Sequence, residues 1–500
     1  MKLFKKIAGF ILAFAMILAI AMPSVVMAEG NGSITITGAK DGHTFEAYQI
    51  FTGDVSGTGT DTKLSNIEWG IGVTDIGKTQ LGNAKDKAES LKNKSDAITF
   101  AYQVSKYLKT ASAKETNVYN NDNYVINDLA PGYYLVKDKN GTVPPEQTYT
   151  QFILQVVGND VSAAVKSSVP TSEKKVKDTN DTEGTTSDWQ DSADYDIGDE
   201  VPFQLTGHVA SDYNEYKSAY QLVFHDTLSN GLTFNASSVK VYVNDSTDPV
   251  NTDKYTITNP TTDGHSFDVT IHDVKALGTG VGKVSVEYTA KLNDKAAIGS
   301  AGNPNTMYME FSNNPNNEQG GDKGHTPEDK VIVFTYKTVI NKKNSERKPL
   351  KGAAFKLEKV LKDGSTKLVK EYKITDDKKD RDRTSFEFTG LDDGKYILTE
   401  TETPYGYSTM HPITFSIIAD HEIGSPDPKL KELNGKKVTG EIEFTPNINE
   451  GTLTADVVNY KDSQLPSTGG MGTTILYAAG VILILAAGAF LVMQKKAEDK

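Results

Sequence analysis

The chain has 500 residues, no cysteine and a formal net charge of −13. That length accommodates about three domains of ordinary size. The acidic balance argues against a nucleic-acid partner, and the missing cysteines exclude disulfide staples and thiolate metal sites.

Lys2, Lys5 and Lys6 precede an apolar run over residues 7–20, and Val26, Met27 and Ala28 lead into a polar start. This is the layout of a secretory signal peptide over residues 1–28, cleaved after Ala28. Residues 29–168 form a first region. It opens on the alternating "SITITGAKDGHTFEAYQIFTG", carries one helical stretch in "KSDAITFAYQVSKYLKT" and closes on "GYYLVKD" and "YTQFILQVVGNDVSAAVK". Lys40 continues the face of Ile34 and Ile36, but no acid and asparagine complete a site there. In residues 169–329 the strand rhythm returns in "DEVPFQLTGHV", "AYQLVFHDTL", "GKVSVEYTAKL" and "TMYMEFSNN", and "NNPNNEQGGDKGHTPED" reads as a linker or long loop. Residues 330–461 add "VIVFTYKTVINKK", "GAAFKLEKV", "GKYILTETETP" and "TLTADVVNYK". Short strands bounded by turn residues predict a mainly-β chain of three tandem Ig-like sandwiches.

Strand alternation selects the polar residues that continue apolar faces. In the third region Lys342 follows Tyr336 and Ile340, Glu400 follows Tyr396 and Leu398, and Asn459 follows Leu453, Ala455 and Val457. Glu402 shares the face of Glu400 and stays the second choice. Desolvation penalises the charged form of a buried amine, and a neutral amine is a nucleophile. In the second region Lys174 shares a face with Val176, whereas Lys175 and Lys177 lie opposite. Asp226 interrupts the stripe of Tyr220, Leu222, Phe224 and Leu228, and Asn313 extends Met307, Met309 and Phe311. A bulge would substitute Lys175 or Asn314. His225, opposite Asp226, reads as an ordinary exposed or hydrogen-bonded histidine.

Beyond residue 461, "QLPSTGG" precedes an uncharged apolar run over residues 473–493 and then Lys495 and Lys496. A run of about 20 apolar residues crosses a bilayer as a helix, and the lysines keep its short tail inside.

These stretches carry family resemblances. Leu465, Pro466, Ser467, Thr468 and Gly469 resemble the sorting motif of Gram-positive surface proteins, placing residues 462–500 as a sorting signal with transmembrane helix and basic tail. The resemblance implies cleavage by a sortase between Thr468 and Gly469. "YILTETETPYGY" resembles the E-box of CnaB-type domains through Tyr396, Leu398, Glu400, Thr401, Pro404, Gly406 and Tyr407. "NKKNSERKPLKGAAFKL" and "ADVVNYK" resemble the first and last strands of the same domains. That likeness implies an isopeptide bond from Lys342 to Asn459 with Glu400 relaying protons. "EKKVKDTNDTEG", "YDIGDEVPFQLTG", "VFHDTLSNGLTF" and "FSNNP" resemble the CnaA-like second domain of fimbrial subunits. It implies a Lys174–Asn313 bond with Asp226 as relay. Lys166, in "VSAAVKSSVPTSEKK", stands where that family carries its pilin lysine, although the usual Tyr-Pro-Lys-Asn motif is absent.

The resemblance implies the major subunit of a sortase-polymerised, wall-anchored pilus, structural and without enzymatic turnover. Its partners would be a class C-type pilin sortase, a housekeeping sortase, identical subunits joined head to tail, minor pilins and peptidoglycan, with no nucleic acid, cofactor or metal. The alternative is a monomeric wall-anchored adhesin binding a host surface ligand such as matrix or glycan. No catalytic cleft motif or phosphate loop supports a secreted enzyme.

Overall fold

The structure, a computed structural model, describes residues 32–57 and 62–462. The signal peptide, the sorting motif Leu465, Pro466, Ser467, Thr468 and Gly469, and the apolar run 473–493 lie outside these residues. Among the described residues no helix is long and apolar enough to cross a membrane.

The first sandwich pairs a sheet built on Gly32–Thr37, Asn123–Leu129 and Val161–Ala164 with one built on Phe45–Ser56, Lys63–Trp69, Gly132–Asp138 and Ile153–Val157. Its strands alternate as the sequence requires: Gly32–Thr37 buries every second residue, with Ile34 and Ile36 in the core. Three helices cover the second sheet rather than the one expected: Asp75–Leu81, Ala84–Glu89 and Lys94–Ser105. The two short ones start on side-chain caps from Thr74 and Asn83, signals that carry no long apolar period.

The second sandwich opposes a four-stranded sheet (Thr171–Val176, Glu200–His208, Lys283–Leu292, Leu232–Val243) to a larger one. The larger sheet contains Leu222–Leu228, Asn303–Ser312, Asp329–Phe334, Phe267–Ile271 and the edge strand Tyr255–Thr258. Asp329–Phe334 pairs antiparallel with Asn303–Ser312, so the expected division at 329/330 falls inside this sheet and the chain passes to the third sandwich at Thr335. The polar stretch 313–328 accordingly belongs to the second sandwich, a loop that contributes the short strand Lys323–His325 against Asn303–Ser312. It leans on the first: Tyr149 N donates to Asn313 O at 2.9 Å, and Asn316 Nδ2 to Thr150 O at 2.7 Å.

The third sandwich sets Tyr336–Asn344, Ser385–Leu391 and Thr452–Asn459 against Ala354–Val360, Gly394–Glu402 and Ile413–His421. Its first and last strands run parallel as neighbours, with Lys342 opposite Val457 and Asn344 opposite Asn459. The first sandwich holds two apolar clusters and the second one; the cluster of the third also takes in Ile332 and Phe334 of the connecting strand, and no sandwich depends on a disulfide.

Candidate functional site: buried lysines facing asparagines

Three lysines are buried among the described residues: Lys174, Lys342 and Lys359. A lysine leaves water only where partners compensate its head group, so each marks a built site.

At Lys342 the strand alternates buried and part-buried from Tyr336 onward, and the side chain enters the core between the two sheets. Its Nζ donates to Asn459 Oδ1 and lies 3.3 Å from Glu400 Oε1. Asn459 Nδ2 donates to both oxygens of Glu400, at 2.8 and 2.9 Å. Glu400 Oε2 also accepts from Met410 N at 3.0 Å, which fixes the carboxyl. Burial pulls the Lys342 amine below its usual range, against the opposing pull of Glu400. The structure thus brings Lys342, Glu400 and Asn459 together. Glu402 is exposed: a bulge between Ala354 and Phe355 breaks the alternation after Glu400, and Glu402 turns out to accept from Ile374 N.

At Lys174 the arrangement differs. The amine donates to Asp226 Oδ2 and, at 3.1 Å, to Tyr288 OH. Tyr288 OH donates to Asp226 Oδ2 at 3.0 Å and accepts from Asn305 Nδ2 at 2.7 Å. All four side chains are buried. Burial lowers the Lys174 pKa and raises that of Asp226, each opposed by the other's charge, so desolvation favours a neutral amine beside a protonated acid. Lys175 instead pairs with Asp191 at 2.5 Å on the partly exposed face.

Asn313 is not at this site, which corrects the expected partner. It follows the end of strand Asn303–Ser312, and its Nδ2 reaches Gln147 O, at 3.5 Å, beside the first sandwich. Asn314 Nδ2 is likewise committed elsewhere, to Asp322 Oδ2 at 2.8 Å. Asn305 and Asn313 share the inward face, so alternation does not separate them. Cross-strand register does: Asp226 lies opposite Met307, and Leu228 opposite Asn305. Eight residues of strand put Asn313 about 26 Å from Asn305. Tyr288, also unforeseen, reads from sequence as one more core aromatic.

Lys359 was missed altogether. It faces Asp392 at 2.8 Å, Asp196 at 3.0 Å and Asp181 at 3.6 Å, tying the third sandwich to the segment 178–199 of the second. These acids raise its pKa despite burial, so it is a charged ion-pair partner and no nucleophile.

Lys166 lies two residues past Val161–Ala164, with its side chain exposed. Its backbone is held at both groups: N donates to Thr150 Oγ1 at 2.9 Å, and O accepts from Gln151 N at 3.0 Å. Although solvent reaches the side chain, neighbouring protein lowers its pKa, first by desolvation and then by the charge of Lys94. In the first sandwich Lys40 is exposed, and no buried lysine occurs there among the described residues.

Comparison with known proteins fits this architecture. The SpaA family of prealbumin-like fold domains matches residues 337–426, and the LPXTG cell wall anchor motif matches residues 457–500. The trypsin-resistant surface T6 protein of Streptococcus pyogenes serotype M6 is 27% identical over 405 residues, 67% of this chain and 71% of that protein. Among solved structures, the T6 backbone pilin of serotype M6 Streptococcus pyogenes, described as a modular three-domain structure, superposes with a TM-score of 0.57 at 20% identity. The match covers 87% of this chain and all of that one. The full-length major pilin SpaD of Corynebacterium diphtheriae gives 0.50 at 20% identity, covering 87% of this chain and 98% of that one. With its prealbumin-like domain, its stacked β-sandwiches and its wall-anchor motif, the chain is a cell-wall-anchored Gram-positive surface protein with the fold of the backbone pilins.

Proposed function

We propose that the chain is the backbone subunit of a covalently polymerised pilus whose shaft is stiffened by two self-formed Lys–Asn bonds, Lys342–Asn459 and Lys174–Asn305. It is a structural subunit, not an enzyme. The observation that carries the reading is a buried lysine amine set against an acid in two successive sandwiches, with an asparagine amide touching the amine at Lys342 and linked to it through the Tyr288 hydroxyl at Lys174. In the third, Lys342 Nζ attacks Asn459 Cγ. Glu400 takes the amine proton and delivers it to Nδ2, which both its oxygens already contact. The Asn459 C–N bond breaks, a Lys–Asn amide forms, and ammonia leaves. In the second, Lys174 Nζ attacks Asn305 Cγ. Asp226 gives its proton to Tyr288 and takes one from Nζ, while the Tyr288 hydroxyl proton passes to Asn305 Nδ2, so that both relay groups are restored. The Asn305 C–N bond breaks, a Lys–Asn amide forms and ammonia leaves. The second and third sandwiches then each hold a covalent tie across strands that tension would otherwise separate.

Division into an N-terminal domain, a CnaA-like domain and a CnaB-type domain belongs to this proposal. So does polymerisation, in which a class C-type pilin sortase joins Thr468 of one subunit to Lys166 of the next and a housekeeping sortase moves the finished polymer to peptidoglycan. Minor pilins would complete the fibre. A lowered amine pKa at an exposed, backbone-clamped lysine supports Lys166 as acceptor. Head-to-tail joining repeats one heterologous contact and gives an open filament. Intact mass tests the internal bonds: two losses of ammonia lower the mass by about 34 Da, and a mass equal to that calculated from the sequence refutes them.

A further inference from the structure

The outer face of the second sandwich gathers four groups that the crosslink does not use. His225 points away from Asp226. Its register neighbours are Asp268 on one flanking strand and Tyr308 on the other. The turn before Phe267–Ile271 carries Asp263 and His265 over the same spot. One ligand atom from each of His225, Asp263, His265 and Asp268 lies within 4.8 Å of the other three. His225 Nδ1 is 2.8 Å from Asp268 Oδ1, and His265 Nδ1 is 3.1 Å from Asp263 Oδ1 and 3.5 Å from Asp268 Oδ1. A tetrahedral ion with bonds of about 2.0–2.1 Å holds its ligand atoms about 3.3–3.4 Å apart, and the three separations bracket that value.

The hydrogen bonding favours ligation over a plain ion-pair cluster. His265 Nδ1 is buried and makes no hydrogen bond among the described residues, although two carboxylate oxygens stand beside it. Its other nitrogen, Nε2, lies 3.4 Å from Tyr308 OH. A proton on Nε2 directed at that oxygen leaves the Nδ1 lone pair facing the carboxylates, as in metal-binding histidines whose far nitrogen is held by a neighbouring group. The Tyr308 ring also stacks on His225, with centroids 4.7 Å apart, and holds that imidazole against the sheet. Two imidazoles with two carboxylates suit a borderline transition metal; calcium takes six to eight oxygens instead.

We propose that His225, Asp263, His265 and Asp268 form a tetrahedral site for a divalent transition metal, Zn2+ foremost, with Tyr308 as positioning residue. The ion would clip the turn 259–266 onto strand Leu222–Leu228 and so secure the edge strand Tyr255–Thr258 in a protein without disulfides. Binding moves the His225 proton to Nε2 and frees Nδ1 for the metal.

The test uses the purified, tag-free protein after chelator treatment, titrated with Co2+ and then Zn2+. The expected result is one Co2+ per chain with the intense visible absorption of tetrahedral cobalt, displaced by one equivalent of Zn2+. His265→Ala and, in the exposed turn, Asp263→Asn should each abolish that spectrum. Tyr308→Phe should weaken binding roughly 10–100-fold, the range for groups that orient metal-bound histidines. Circular dichroism confirms that each variant is folded. No tetrahedral absorption from the wild type, or an unchanged spectrum and stoichiometry in folded His265→Ala, overturns the proposal.

Discussion

Replacing Asn305 with alanine removes the amide carbon that Lys174 is proposed to attack. The Lys174–Asn305 bond closes a loop of roughly 130 residues, and the chain-entropy treatment of crosslinks assigns such a loop about 5 kcal/mol. For a domain of this size each kcal/mol moves the melting temperature by about 2–4 °C, so the second sandwich should melt roughly 10–20 °C lower. Intact mass separates this from ordinary loss of packing. Wild type should fall short of its sequence mass by about 34 Da, and Asn305→Ala should fall short of its own by about 17 Da, through ammonia lost at the third sandwich alone. Asn313→Ala should retain both losses, because that side chain contacts Gln147 at the first junction. Calorimetry and tryptic digestion follow the stability. If Asn305→Ala keeps both losses while Asn313→Ala drops one, the register argument is wrong.

Glu400→Gln should abolish the third-sandwich bond and leave the second intact, read as a single ammonia loss by mass spectrometry. Tyr288→Phe should slow or prevent bond formation at Lys174 while sparing Lys342, followed by the mass of freshly expressed protein over time. The junction between the second and third sandwiches should tighten as pH falls. Burial, followed by the charge of Asp178, pushes Asp194 up to about 6; burial, followed by the charge of Asp194, pushes Asp393 up to about 7. The folded state therefore binds more protons than the unfolded chain between pH 4 and about 7, and stability declines as pH rises through that window. His421 acts in the same direction: burial lowers its pKa, but Asp178 and Asp194 raise it overall, so its contribution is also lost as pH rises. Amide exchange across residues 178–199, corrected for intrinsic rate, should be slower at pH 5 than at pH 7.5; the opposite order contradicts the assignment. Lys166→Ala should leave both internal losses in place and abolish the high-mass ladder of a wall extract, and a full ladder would place the acceptor elsewhere.

The third-sandwich site was legible because three strands each ran an unbroken alternation into one polar residue, and burial follows that pattern at Lys342, Glu400 and Asn459. The fold class followed from the same rhythm. Alternation fixes a face but not a position along it: Asn305 and Asn313 share one face, and the pairing of Leu222–Leu228 with Asn303–Ser312, which sets Asp226 opposite Met307 and Leu228 opposite Asn305, favours the asparagine that the sequence reading did not consider. The Lys359 network was illegible for a related reason. Two of its acids, Asp181 and Asp196, come from the second sandwich and reach Lys359 only when the second and third sandwiches dock. The metal-type cluster needs the same three-strand register that brings His225, Asp268 and Tyr308 abreast.

The most direct test of a covalently polymerised backbone subunit is tandem mass spectrometry of the wall-extracted polymer after trypsin. The account predicts a branched peptide in which the Lys166 Nζ carries residues 462–468 through the Thr468 carbonyl. Thr468 found only on the peptidoglycan amine, with Lys166 free throughout, would contradict it and leave an anchored monomer.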